Sequence, residues 1–236
     1  MEITKREVIA SIGIVSLMLI LGLFIGSAIS NHQMDQNQKY YEAIHINTKQ
    51  LFQYGLDTSV GDAFVYGTLI AKDPVTYPWI KEKYLSIEKV KEQYTMHTRV
   101  VSDGKGHSHT ETYYTWDEID RESKEAKRVT FLGIKFKTSQ FNIPSKDYIC
   151  TQYENIDLRD KFYGYATKST GTIFATLKDG DIGKKDVLFY HNMTIEQTID
   201  KLTSNAYVYI FWILWLVLIA LCVYGFYYLN NNWLNN

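Results

Sequence analysis

The feature that most limits this chain lies near its C-terminal end, at Ala206–Tyr228 (AYVYIFWILWLVLIALCVYGFYY), 23 residues without a charge. About 20 consecutive apolar residues match the ~30 Å hydrocarbon layer of a bilayer. Tyr207, Tyr209, Trp212 and Trp215 gather at one end of the run; Tyr224, Phe226, Tyr227, Tyr228 and Trp233 gather at the other. Amphipathic rings favour the two headgroup levels. The run therefore reads as a transmembrane helix, residues 206–228, followed by a cytoplasmic tail, 229–236.

A second uncharged run of 22 residues, Val8–Ile29, follows a short cytoplasmic segment, 1–7. A cleavable signal sequence competes with this reading, since Ala28-Ile29-Ser30 resembles a small-residue cleavage site. Signal cores run about 7–15 residues, so the length favours an uncleaved anchor. Lys5 and Arg6 precede the run and place the N-terminus in the cytoplasm. Two crossings then return the C-terminus to the cytoplasm and leave residues 30–205 outside, in a cell membrane. The expected fold class is a membrane protein, two transmembrane α-helices flanking one β-rich (α+β) extracytoplasmic domain with helical stems. Gly22 and Gly26, with Ser30 one turn further, form a small-residue stripe. It suits close helix packing, against the second span or another copy, although glycine is also common in membrane helices for no specific purpose.

The 176 residues between the spans hold 23 basic and 24 acidic side chains with no long single-sign run. Nucleic-acid binding wants a clustered basic footprint, so it is not expected. Cys150 falls in this region and Cys222 inside the second run, which leaves no disulfide within the domain. An outside domain without disulfides suits a bacterial envelope.

Along the chain, residues 31–54 read as a helix leaving the membrane, interrupted near Asn47-Thr48, with Thr48 capping a turn that Gly55 ends. Ala63–Ile70 reads as a strand stopped by Asp73-Pro74. Tyr84–Val101 alternates, but Leu85 and Ile87 occupy the phase opposite to Val90 and Tyr94, so a bulge is expected near Glu88–Lys89. The segment Ser102–Gly106 holds an Asp-Gly turn joining that strand to His107–Trp116 in a hairpin. Asp117–Lys127 reads as a charged connection of one or two helical turns. Arg128–Phe136, Tyr148–Tyr153, Lys161–Thr167 and Gly171–Leu177 are further strands, the last bounded by Asp179-Gly180. Met193–Leu202 repeats apolar residues at Ile195, Ile199 and Leu202, a helix capped by Asn192 or Thr194 and running straight into the second span.

Few residues point to chemistry. His107 and His109 lie beside the hairpin turn and His97 on the partner strand, so the three are the only candidate metal ligands; a zinc site needs three or four. No cofactor is expected. No HExxH, GxSxG, P-loop or paired CxxC occurs. Lys168-Ser169-Thr170-Gly171 is similar to the KTG box of penicillin-binding enzymes, without the SxxK nucleophile, and reads as a turn between strands. Ser27 and Ser30 lack the Ser-Met-Pro context of signal-peptidase-like enzymes. Cys150 reads as a buried thiol. No Asp, Glu, Lys or Arg lies inside either span, against the usual mark of an ion pathway. Nineteen tyrosines, many alternating with threonine, suit a half-buried sheet or a recognition face.

The segment Leu85–Pro144 resembles part of the LUMA-type transmembrane family. The resemblance rests on Leu85, Ile87, Val90-Lys91-Glu92-Gln93-Tyr94, Thr112-Tyr113-Tyr114-Thr115-Trp116, Phe131 and Phe141-Asn142-Ile143-Pro144, with Val60-Gly61-Asp62 and Gly67-Thr68-Leu69 compatible upstream. It implies a large outside domain after the first span and roles in membrane organisation and protein partnering. Eukaryotic members carry more spans after that domain. The two-span plan is also similar to the inter-membrane domain of mitochondrial membrane-anchored ubiquitin ligases, although two cysteines exclude a RING. Together these readings favour a non-enzymatic scaffold or binding module of the envelope, with a membrane or envelope protein partner and a possible homo-oligomer. The alternatives are a His-based metal sensor or enzyme, and a channel subunit.

Overall fold

A computed structural model describes residues 5–102, 104–143, 146–183, 186–204 and 206–234, without the side chains of 231–234. Asp103 of the expected turn, Pro144 of the resemblance, Asn205 and the side chain of Trp233 lie outside the described residues. The chain divides into two units, residues 1–42 with 199–236, and residues 43–198. Two long apolar helices thus flank a β-rich domain in sequence.

In the first unit, α1 (Lys5–Tyr41) is one unbroken helix of 37 residues, so the polar segment after Ile29 continues it. It packs antiparallel to α4 (Ala206–Leu234). A Cβ on Gly22 would collide with the Trp215 indole, and one on Gly26 would meet Phe211 at 3.4 Å. Trp215 Nε1 donates to the Met18 carbonyl at 2.9 Å, inserting its ring where glycine leaves room. Tyr227 donates to Ser11 Oγ at 3.2 Å, and Asn230 donates to Glu7. The outward faces of both helices remain exposed, as at Phe24 and Ile213.

The second unit is built on β2 (Gly61–Ala71). It pairs antiparallel with β10 (Lys168–Leu177) over ten rungs, from Gly61↔Leu177 to Ile70↔Lys168. The opposite edge of β2 is shared. β1 (Ile44–Ile46) runs parallel beside its first half, and β5 (Arg128–Phe131) antiparallel beside its end. The sheet extends to β6 (Ile134–Lys137) on one side, and to β11 (Val187–His191) and β7 (Phe141–Asn142) on the other. α2 (Lys49–Thr58) lays Phe52 and Leu56 on this core, with Phe52 against Phe131 and Phe136. Thr48 caps it as expected, accepting from the Leu51 amide at 3.3 Å. Gly55 does not end it: the helix runs to Thr58, and Gly55 admits the Leu177 methyl, 2.9 Å from where a Cβ would stand.

Residues 128–136 form a hairpin and not one strand. Leu132 and Gly133 both take positive φ (48° and 78°), the two-residue turn whose twist suits antiparallel strands. The helix over 193–202 is α3 (Ile195–Leu202), entered through a reciprocal cap. Gln197 N donates to Thr194 Oγ1 and Thr194 N donates to Gln197 Oε1. It breaks at Thr203–Ser204 and does not run straight into α4.

A four-stranded sheet holds the site. Its order is β4 (Ser108–Glu125), β3 (Tyr84–Ser102), β9 (Leu158–Ala166), β8 (Asp147–Tyr153). Residues 117–125 are strand, not the helical connection that their charge suggests. Glu122 meets Lys89, and Arg121 meets Glu88, so the charges answer those of β3 across the ladder. Pairing is unbroken through Glu88–Lys89. The expected bulge is absent there because both faces are covered at that level. Ile87 packs with Phe162 beneath Tyr77 and Ile80, and Val90 is buried on the other face. The extra residues sit at Leu85, against β9, and at Ile119, opposite the Lys91–Glu92 step.

Candidate binding face

Beyond Gln93, β3 leaves β9 and continues only with β4. The last nine residues of β3 and their partners therefore form a two-stranded arm, closed by a loop with Gly104 and Gly106 at positive φ. Successive side chains alternate between faces. One face takes the rungs Tyr94↔Trp116, Met96↔Tyr114, Thr98↔Thr112 and Val100↔Thr110. It carries no charge. Val100 is 73% exposed and Tyr114 53%. The other face takes Thr95↔Thr115, His97↔Tyr113, Arg99↔Glu111 and Val101↔His109. It is polar and internally paired: Arg99 bonds Glu111 at 2.8 Å, and His97 Nε2 meets Asp117 at 2.6 Å. The Thr115 hydroxyl and His97 hold the Asp117 carboxyl below its ordinary range.

At its root the uncharged face is fixed by long-range contacts. Tyr94 stacks on Tyr114 (5.3 Å) and leans on Trp116 (5.1 Å). Arg159 of β9 lies over the Trp116 ring at 4.0 Å while its Nε donates to Glu92 at 2.6 Å. A cation over an indole face adds of order 0.5–2 kcal/mol. Tyr153 meets the same indole edge-on. Below lies a cavity of about 470 Å³ lined by Val90, Tyr163 and an ion network. Arg121 spans Glu118 and Glu88, Lys146 reaches Glu88, and Lys161 joins Arg159 on Glu92. Each of these three carboxylates is held by a cation of the same face. The arrangement offers aromatic area and hydroxyls for contact.

The three histidines are not brought together. His97 and His109 share the polar face four residues apart along the strand, about 13 Å at ~3.3 Å per residue. His107 lies in the turn. Among the described residues no group of three or more His, Cys, Asp or Glu could hold a metal. The Lys168–Gly171 segment opens β10 and is not a turn, the sheets exchanging the chain at Thr167 instead. Its Ser169 is bonded on two sides. Tyr165 donates to Ser169 Oγ at 2.9 Å, and His191 Nδ1 lies 2.5 Å away. Burial pushes the Tyr165 phenol up. Ser169 is only 5% exposed, and the trio ties β9, β10 and β11 together. Cys150 is half-buried on β8 opposite Phe162. Of the helix stripe, Gly22 and Gly26 face α4, and Ser30 is half-buried.

The alternation of Tyr and Thr on the arm is visible in the sequence. The Arg159–Trp116 and Arg159–Glu92 contacts are not, because they join residues more than forty apart. Comparisons with protein-family models, curated proteins and solved structures give no match.

Proposed function

We propose that this chain is a two-span integral membrane protein, both termini cytoplasmic, whose β-rich domain stands outside and binds another envelope protein through the uncharged face of the arm. The observation that carries the reading is the contrast between the two faces of one ribbon, one ion-paired and one aromatic, exposed and free of charge. Exposed contiguous apolar patches mark interaction sites, and Tyr, Trp and Met are favoured at the centres of interfaces. Four same-face rungs of two strands span roughly 20 by 10 Å from strand spacings. That is far below the ~800 Å² per partner of a standard stable interface. The area suits a short extended segment of a partner laid along that face better than a large flat dimer. Apolar helices of 37 and 29 residues with exposed outer faces support the membrane part. The non-catalytic role implied by the LUMA-type resemblance points the same way.

A photo-crosslinking residue at Met96 or Tyr114 in intact cells tests this, with His109 on the opposite face as control. One discrete envelope protein captured from Met96 and Tyr114 but not from His109 is the expected result. Equal capture from both faces, or none from either, would refute it.

A further inference from the structure

Within the helical unit a groove of about 1140 Å³ opens between α1 and the start of α4. It is graded along its length. Ile25 and Ile29 of α1 face Ile210 and Leu214 of α4 at one end. Gln33 and Gln36 of α1, with Lys201 and Ser204, line the other. The step from apolar to polar falls just after Ile29. At ~1.5 Å per residue Gln33 then lies about 6 Å beyond the end of the apolar run. Headgroup layers are about that thick on each side of a ~30 Å hydrocarbon core. The graded walls therefore match the gradient of one lipid molecule.

One atom narrows the ligand. Gln33 Oε1 is buried without a hydrogen-bond partner. An orphaned acceptor costs free energy that a headgroup donor would recover once the Gln33 side chain turns its oxygen toward the groove. A choline headgroup offers no donor; a glycerol hydroxyl or an ethanolamine ammonium does. Lys201 at the same rim suits the phosphate. We infer that this groove is a binding site for a single phospholipid with a donor-bearing headgroup, its acyl chain against Ile25, Ile29 and Leu214 and its headgroup at Gln33 and Lys201. A transmembrane helix of a second copy fits less well. Close helix contacts want small residues, and the Gly22/Gly26 stripe is already occupied by Trp215 and Phe211.

This inference rests on the membrane reading, and the experiment separates the two. The full chain, purified in mild detergent, is exposed to phosphatidylglycerol or phosphatidylcholine of identical chains and examined by native mass spectrometry. One phosphatidylglycerol per chain should survive detergent exchange, retained about tenfold better than phosphatidylcholine, the factor that one hydrogen bond of ordinary net strength supplies. Gln33→Leu should abolish the preference while lipid still binds; Ala28→Trp, which fills the groove, should remove the lipid. Equal retention of the two lipids by the unaltered chain would overturn the headgroup assignment. A disulfide-linked dimer formed efficiently through Ala28→Cys in a Cys150→Ser/Cys222→Ser chain would hand the groove to a second copy. Carbonate extraction supplies the control. A chain that stays in the membrane pellet yet keeps no lipid overturns this inference alone, whereas a chain released by carbonate overturns the membrane reading with it.

Discussion

Gly67 sits on the central strand with Leu132 pressed on it; an added Cβ would lie 2.5 Å from Leu132 Cγ. Leu132 is itself held at positive φ, with its amide on the Thr68 carbonyl, so it has little room to withdraw. Gly67→Ala should therefore destabilise by roughly 1–3 kcal/mol, the range for overpacked cores. Urea unfolding measures it, and adding Leu132→Ala should recover part of the loss, because neighbouring substitutions do not add. Two carboxylates give opposite responses to acid. Asp117 is held low by Thr115 and His97, so its contribution is present at neutral pH and fades as pH falls through its lowered folded value. Asp160 is 3% exposed with Oδ1 unpartnered, and burial pushes its carboxyl up. The folded state then binds the proton more tightly than the unfolded chain. Stability attached to Asp160 is full below the ordinary carboxylate range and is lost as pH rises through the raised value. Asp160→Asn should flatten that part of the profile and raise the melting temperature at pH 7 relative to pH 4; a larger fall at pH 7 would contradict it.

The arm behaves as a unit distinct from the sheet that roots it. Two strands alone are marginal in water. Amides of residues 95–101 and 109–115 should exchange with solvent faster than those of 86–91, which have a strand on each side. Val100→Lys, on the exposed tip, should change stability by no more than about 0.5 kcal/mol while abolishing partner capture. In the helix pair, Gly22→Leu should displace Trp215. The indole fluorescence assigned to Trp215 by difference with Trp215→Phe should then lose the signature of a half-buried, hydrogen-bonded ring. Much of this level was legible in the sequence. The hairpin at 102–108, the strands of 63–70 and 171–177, and the Thr48 cap follow from local alternation and local polar chemistry. Residues 117–125 did not read as strand because their partners, Lys89 and Glu88, lie thirty residues back. β1 and β7 are three and two residues long, and β11 five, too short to show a period; a neighbouring strand defines each of them. The arm's aromatic face was legible as alternation, while the Arg159 anchor that orients it was not.

At the scale of the molecule, the proposed topology would put Gly104 and Gly180 outside and Asn230 inside. Cysteines at Gly104 or Gly180, in a chain lacking Cys150 and Cys222, should react with a membrane-impermeant thiol reagent in intact cells. One at Asn230 should react only after permeabilisation; the reverse pattern would invert the topology. The ladder between β2 and β10 has a further consequence for biogenesis. Thr68 and Thr170 share a hydroxyl contact although 102 residues separate them. Closing so long a loop is slow, whereas the β3–β4 hairpin closes locally. If the domain is translocated as proposed, a strand emerging early from the channel waits, with its edge uncovered, until the last third of the domain arrives. Holding chaperones on the outer side of the membrane should bind the nascent chain in that interval, and truncation before Lys168 should prolong it indefinitely.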